Sequence, residues 1–263
     1  MYEIRLEIDS RDCACYPHGF AMPHLTASQW ALGILCAILT GKAKTGLPGL
    51  GILVVPLMVL TAGDAKLAAG WLLPMLCTAD VVAVTMWRRH AAAARLFSLA
   101  PWVLAGTAVG AVSLALPEAI LRRLVAAIVL LMLAAYLWRR YGPGTVEDKG
   151  AAAPYGLLAG FATTVANAAG PVMSLYLLRK RLTKAEFVAT GAWFFFAINL
   201  VKVPIYLYHG MINLPSLEFD AAMAPAVVLG AFSGRWLVDR ISTRVFEALV
   251  LLLTAVSTLL LFR

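Results

Sequence analysis

Residues 40–56 read TGKAKTGLPGLGILVVP and lie inside a run of apolar residues where a membrane-spanning helix would be expected to continue. The stretch contains glycines, prolines and two lysines, none of which lipid hydrocarbon favours. Backbone that breaks at membrane depth is tolerated only where protein buries it or water reaches it. A similar break follows at residues 160–171 (GFATTVANAAGP). Two broken apolar segments at corresponding places predict a transporter whose ligand pathway lies near the breaks.

The composition is that of an integral membrane protein. Hydrophobic residues make up 62% of the 263 residues and charged residues only 14%, whereas soluble domains are roughly 45–50% apolar. The mean hydropathy is +0.83. The net charge of +8 does not indicate a nucleic-acid partner, because lysine and arginine mostly flank the apolar segments, as cytoplasmic anchoring requires. We expect a multi-pass protein of the cell (inner) membrane.

Residues 1–28 form a predicted polar N-terminal tail that lacks the basic start and apolar core of a signal peptide. Met22 could be the natural start, so it is open whether residues 1–21 belong to the natural protein. Thiolate and imidazole groups in the tail could bind a soft metal ion, but their spacing matches no standard zinc pattern, and we expect neither a metal nor a cofactor. The residues concerned are Cys13, Cys15, His18 and His24.

Six apolar runs are long enough to cross a bilayer, since a spanning helix needs about 20 residues. They are Gly70–Trp87, Leu96–Leu116, Leu121–Trp138, Phe187–Tyr208, Ala221–Val238 and Phe246–Phe262. Two further regions, residues 29–62 and 154–178, contain the breaks. If both fold back as hairpins, the basic residues outside the apolar segments divide 6 to 13 between the two sides; if both cross once, they divide 9 to 10. The positive-inside rule therefore favours hairpins, with both termini outside.

The two halves of the chain also resemble each other. Each half is then one broken helix or re-entrant hairpin plus three membrane-spanning helices, and the odd number of crossings inverts the second copy. The predicted fold is an all-α polytopic membrane protein with two inverted repeats, residues 29–141 and 154–263, joined by a linker at residues 142–153. The matching positions are Gly41, Gly51 and Asp80 with Gly160, Gly170 and Asn199, and Ala100, Pro101, Gly106 and Gly110 with Ala224, Pro225, Gly230 and Gly234.

The second half carries a family resemblance. Residues 156–178 (GLLAGFATTVANAAGPVMSLYLL) and 182–206 (LTKAEFVATGAWFFFAINLVKVPIY) combine a Gly-rich broken helix, a short basic loop and a helix bearing Asn and Lys. In these features the chain resembles the TauE/SafE sulfite-exporter family, also called the toluene-sulfonate uptake permease family. The resemblance implies export or uptake of small organic or sulfur-containing anions such as sulfite, sulfonates or sulfoacetate. In the first half, residues 46–51 depart from the family's run of adjacent glycines, which leaves the substrate open.

Three residues of the apolar spans are candidates for chemistry. Lys202 lies well inside a span, where a charge usually faces a partner or an aqueous cavity; the alternative is that its long stem reaches the nearer interface. Asn199 is one turn earlier on the same helix face and could bind an oxyanion or only bridge two helices. Asp80 could pair with a lysine or carry a coupling proton.

The two breaks supply the other candidates. Half-helix N-termini expose N–H groups that bind anions, and glycines let the backbone approach a ligand, although glycine also serves close helix packing. Lys42 and Lys44 could form an electropositive funnel or a solvated loop. The remaining candidates for substrate binding are Thr45, Gly46, Gly49, Gly51, Thr163, Thr164, Asn167, Gly170 and Pro171.

These features favour a secondary transporter of small anions that is active in the lipid bilayer, with a homodimer as its candidate assembly. An anion channel and a transporter of an unrelated small carboxylate are the alternatives. An enzyme is not expected, because the chain contains neither H-E-x-x-H nor G-x-S-x-G.

Overall fold

A computed structural model describes residues 25–47, 50–63, 65–91, 93–113, 118–141, 152–166, 169–180, 182–208 and 210–260. Within these ranges the chain is helical, apart from its turns. The α-helices are α1 (Ala27–Thr45), α2 (Gly51–Ala62), α3 (Ala65–Trp87), α4 (Ala93–Ser113), α5 (Glu118–Tyr141), α6 (Ala152–Ala166), α7 (Ala169–Arg179), α8 (Lys184–Tyr208), α9 (Leu214–Arg240) and α10 (Thr243–Leu260). A 3₁₀ turn, Arg88–His90, follows α3.

The predicted all-α membrane fold is confirmed. The six predicted spans correspond to α3, α4, α5, α8, α9 and α10. Four helical segments of the described chain are long and apolar enough to cross a bilayer: Leu67–His90, Leu96–Ser113, Lys184–Tyr208 and Leu214–Arg240. Helix α6 begins at Ala152, within the predicted linker of residues 142–153. Residues 1–24 of the predicted tail, which include its candidate metal ligands, lie outside the described residues, and α1 begins at Ala27, inside the tail's predicted bounds.

The first broken region folds back on itself. Helix α1 starts with a capping box, in which the Thr26 side chain and that of Gln29 each accept a backbone N–H of the other residue. The Gln29 amide also donates to the Thr61 carbonyl (3.1 Å), and the Cys36 thiol donates to the Val54 carbonyl (3.4 Å). Early residues of α1 therefore meet late residues of α2, so the two helices form a hairpin, as the charge distribution predicted.

The second broken region has the same arrangement. The rings of Tyr155 in α6 and Tyr176 in α7 have centroids 5.6 Å apart, and the Arg179 guanidinium donates to the Tyr155 hydroxyl (3.4 Å). The start of α6 thus lies beside the end of α7. Both pairs of short helices return the chain toward the side from which it entered.

Glycines allow helices of opposite halves to approach closely. Gly230 of α9 lies against the Ile38 carbonyl of α1, and Gly106 of α4 lies against the Leu157 carbonyl of α6. The two glycines are 124 positions apart and their two partners 119 apart, which are the offsets of the sequence repeat. Further contacts with this reciprocity join Gly41 to Val227, Gly160 to Val103, Gly234 to Thr45 and Gly110 to Thr164.

The third helices of the two halves, α3 and α8, pack on each other in opposite directions. Gly70 near the start of α3 lies against the Met211 carbonyl just beyond the end of α8, whereas Asp80 further along α3 meets Asn199, which lies earlier in α8. Helices that occupy equivalent places in two copies and meet antiparallel are expected for a twofold axis in the membrane plane. This packing and the reciprocal glycine contacts support the predicted inverted repeat.

We predict that Gly230→Ala destabilises the fold, because the added Cβ would meet the Ile38 carbonyl. Overpacking of this kind typically costs about 1–3 kcal/mol. The measurement is the thermal unfolding midpoint of the purified protein in detergent, and Gly106→Ala should lower it similarly because its contact with Leu157 is equivalent.

The matched control for this prediction is Leu229→Ala, since the Leu229 side chain is exposed on the same helix. It should leave the midpoint close to that of the wild type. If Gly230→Ala and Leu229→Ala unfold at the same temperature, the backbones of α1 and α9 are not in close contact at Gly230.

Candidate functional site

A buried carboxylate joins the two halves of the protein. One oxygen of Asp80 in α3 lies 2.7 Å from the Lys44 ammonium of α1. Its other oxygen accepts a hydrogen bond of 2.7 Å from the Asn199 side-chain amide of α8. Asp80 has no exposed surface, so its charge is stabilised by these two side chains and not by water. The repeat mates Asp80 and Asn199 are therefore in direct contact.

The break in the first hairpin places Lys44 at this point. Lys44 lies in the last turn of α1, immediately before the chain leaves the helix at Gly46. A cation is stabilised there by the partial negative charge of the helix C-terminus. The ammonium also lies 4.4 Å from the centroid of the Phe195 ring, and its side chain is 10% exposed. Lys44 therefore points into the protein between the two halves.

Lys202 adds a second positive charge to the same region. It lies one turn after Asn199 on α8 and is within electrostatic range of both Lys44 and Asp80. We call Lys44, Asp80, Asn199 and Lys202 the cross-half cluster. Two ammonium groups and one carboxylate give the cluster one net positive charge, which is suited to attracting an anion.

These contacts decide some of the alternatives left open by the sequence. The pairing of Asp80 with a lysine is confirmed, and Asn199 does bridge two helices. The interpretation of Lys44 as part of a solvated loop is wrong, because the residue is helical and its ammonium lies in a buried ion pair. Roles of the cluster in anion binding, and of Asp80 in carrying a proton, stay predictions.

Several candidates at the breaks are engaged in helix packing. The Thr45 hydroxyl donates to the Ala231 carbonyl of α9 (2.6 Å), and Gly46 lies against the backbone of Gly234. The Thr164 hydroxyl donates to the Gly160 carbonyl within its own helix (2.8 Å). Packing thus accounts for Thr45, Gly46 and Thr164, and nothing in these contacts indicates a ligand.

The positions of the other candidates at the breaks do not indicate a role in binding. Gly51 begins α2 beside Ala43, and Lys42 shares the last turn of α1 with Lys44. Thr163 and Pro171 are buried, and Gly170 is partly buried at the start of α7. Gly49 and Asn167 lie outside the described residues, so their roles in substrate binding stay predictions. Among the side chains that the structure describes, no three His, Cys, Asp or Glu residues come together as a metal ion would require.

Sequence reasoning missed Phe195, which lies against the Lys44 ammonium. A signal was present, because Phe195 precedes Asn199 by four residues and Lys202 by seven. That spacing places all three on one face of α8. The neighbouring Trp193, Phe194 and Phe196 conceal the pattern, since a run of four aromatics looks like apolar lining on every side of the helix.

The sequence matches a known protein family. The sequence model of the family described as Sulfite exporter TauE/SafE matches residues 33–261. This range contains every described helix except the first turns of α1, and it includes the whole cross-half cluster. No curated protein and no solved structure matches the chain. Because the family match spans most of the sequence, the chain belongs to the TauE/SafE sulfite exporter family of membrane transporters.

Proposed function

We propose that the protein is a secondary transporter of a small organic or sulfur-containing anion in the cell (inner) membrane, and that the anion binds at the cross-half cluster. Sulfite, sulfonates and sulfoacetate are the first substrates to consider, with export and uptake both open. The observation that supports this most is the buried Lys44–Asp80 pair with Asn199 and Lys202 beside it.

The cluster offers an anion the same groups that now hold Asp80. Lysine ammonium and asparagine amide groups are hydrogen-bond donors, and the oxygens of a sulfonate or carboxylate are acceptors. Charge-assisted hydrogen bonds from an ammonium are about twice as strong as neutral ones. An incoming anion can therefore compete with the Asp80 carboxylate for Lys44 while Lys202 contributes the additional positive charge.

The position of the cluster fits alternating access. It lies where α3 and α8 of opposite halves meet, beside the end of the first helix of a hairpin. In transporters built from two copies, one part moves against the other around a site of this kind. A relative displacement of the halves would separate Asp80 from Lys44 or Asn199, and an anion that replaces the lost contacts would stabilise the displaced state.

The substrate class can be tested by ligand stabilisation. A ligand that binds only the folded protein raises the free energy of unfolding by an amount that grows with its saturation. Sulfite, sulfoacetate, taurine and short carboxylates should be compared at equal ionic strength by the thermal midpoint. We expect sulfite or sulfoacetate to raise it most; no shift with any anion would contradict anion binding at the cluster.

We predict that Lys44→Met is strongly destabilising, because it leaves the buried Asp80 carboxylate without its cation. Removing one partner of a buried ion pair costs about 3–5 kcal/mol. The double variant Lys44→Met/Asp80→Asn removes both charges and should recover a thermal midpoint close to that of the wild type. Anion uptake into proteoliposomes should nevertheless stay at the level of empty liposomes.

The double variant separates structure from function, because it keeps the net charge of the cluster through Lys202. The control is Asp239→Asn, which removes a carboxylate that is exposed and only loosely paired with Arg235 at 3.8 Å. Wild-type uptake by the double variant would show that the Lys44–Asp80 pair is purely structural.

We further predict that Lys202→Met abolishes uptake while the fold is retained. The substitution leaves Lys44 and Asp80 paired, so the buried carboxylate keeps its partner, but the net charge of the cluster falls to zero. Arg240→Gln is the matched control, since it removes one positive charge from the exposed end of α9. Equal uptake by the two variants would exclude Lys202 from anion binding.

A further inference from the structure

A second buried carboxylate lies apart from the cross-half cluster. Asp220 in α9 is 7% exposed, and both of its carboxylate oxygens are buried without a hydrogen-bond partner in the described part of the chain. Asp80 is also buried but is held by a lysine and an asparagine. Asp220 thus differs from Asp80 chiefly in its partners.

Among the described residues, no basic side chain is paired with Asp220. Helix α9 packs against α1 and α3, and the ionisable groups that face Asp220 from these helices are thiols, Cys36 of α1 and Cys77 of α3. On its own helix the nearest acid is Glu218, one oxygen of which is also buried without a partner. The adjacent Phe219 packs between the rings of Trp30 and Trp71. These neighbours are apolar or uncharged, or themselves acidic.

Such surroundings admit a neutral acid and not a carboxylate ion. An isolated charge is very costly to bury without a partner, so the group takes up a proton instead. A bound sodium ion would require several oxygen ligands, and the ionisable side chains that α1 and α3 bring to Asp220 in the described residues are thiols.

One residue lies within range of both Asp220 and the cross-half cluster. Cys77 lies three residues before Asp80 on α3 and is within electrostatic range of Asp220 as well as of Asp80, Lys44 and Lys202. The buried acid and the cluster therefore adjoin the same part of α3.

We propose that Asp220 carries the proton that crosses the membrane together with the anion. This inference rests on the proposed function, which supplies the anion. The proton is taken from water on one side, is held on the Asp220 carboxylate while that group is enclosed, and is returned to water on the other side.

The charges of Asp220 and the four residues of the cross-half cluster explain why the proton and the anion would move together. With Asp220 protonated and no anion, the net charge is plus one, which attracts an anion. With both the proton and a monovalent anion bound, the net charge is zero. When both have left, the ionised Asp220 balances the cluster and the net charge is again zero. Either ion alone leaves a net charge buried at membrane depth, which is costly, so the doubly loaded and doubly empty states are those that reorient.

The first experiment detects the proton itself and does not depend on transport. Infrared spectra of the reconstituted protein at neutral pH should show the carbonyl stretch of a buried protonated carboxylic acid. Asp220→Asn should lack that band, and the exposed-site control Asp239→Asn should keep it. If wild type and Asp220→Asn have the same carboxylic-acid band, Asp220 is not protonated in the folded protein and the proposal is wrong.

The second experiment tests coupling. Methanesulfonate is the probe, because it is a monovalent anion that stays ionised near neutral pH, so a proton that moves with it is carried by the protein. Wild-type proteoliposomes should accumulate methanesulfonate when the outside is more acidic than the inside. Asp220→Asn should lose this accumulation but still exchange internal for external methanesulfonate, since exchange needs no change in proton occupancy.

The outcomes separate this inference from the proposed function. Gradient-driven accumulation by Asp220→Asn equal to that of the wild type would overturn the coupling role while leaving anion transport intact. If the wild type neither accumulates nor exchanges methanesulfonate or sulfite, the proposed function fails, and coupling fails with it, even where the infrared band assigns a proton to Asp220. Loss of both accumulation and exchange in Asp220→Asn alone, with its thermal midpoint unchanged, would show that Asp220 serves anion binding instead of proton coupling.

Discussion

The rest of the structure depends on a carboxylate that has no contact with water. Asp80 can be ionised at this depth only because an ammonium from the first hairpin and an amide from the second half reach it together. Losing either partner would leave a polar group unsatisfied in an apolar medium, where that costs far more than in water. The first hairpin and the third helices of both halves are therefore held in one relative position, with Lys202 beside them.

Close helix packing makes this contact possible. Glycines let α1 approach α9 and α6 approach α4 until backbone touches backbone, as at Gly230 and Gly106. With α1 fixed against α9 along most of its length, its last turn has a defined rotation, and Lys44 points toward α3. The break that follows at Gly46 ends the helix where its C-terminal partial charge favours the lysine. Backbone geometry and electrostatics thus both favour the position of the Lys44 side chain beside α3.

Much of this architecture could be predicted from the sequence, because it follows from long-range patterns. Apolar length predicted the spans, and the distribution of basic residues predicted the hairpins. The repeat offset even identified Asp80 and Asn199 as mates, and mates on helices that meet at a twofold axis are expected to touch. The choice between Lys42 and Lys44 could not be predicted. Two positions on a helix differ by about 200° in direction, and only the packing of α1 against α9 determines which one faces inward.

Asp220 shows why burial alone does not reveal the role of an intramembrane acid. In the sequence Asp80 is the one acidic residue of α3, whereas Asp220 shares α9 with Glu218 and Asp239. Both Asp80 and Asp220 are buried in the folded protein. Their partners differ. A carboxylate held by an ammonium and an amide keeps its negative charge and orients its neighbours, whereas one that faces thiols has no group to stabilise that charge and exists as a neutral acid. A protein that moves an anion through lipid would benefit from both kinds, because an ion pair between the two halves presents the lysine for which the proposed anion competes, and a titrating acid allows the total charge to stay near zero as the anion arrives and leaves.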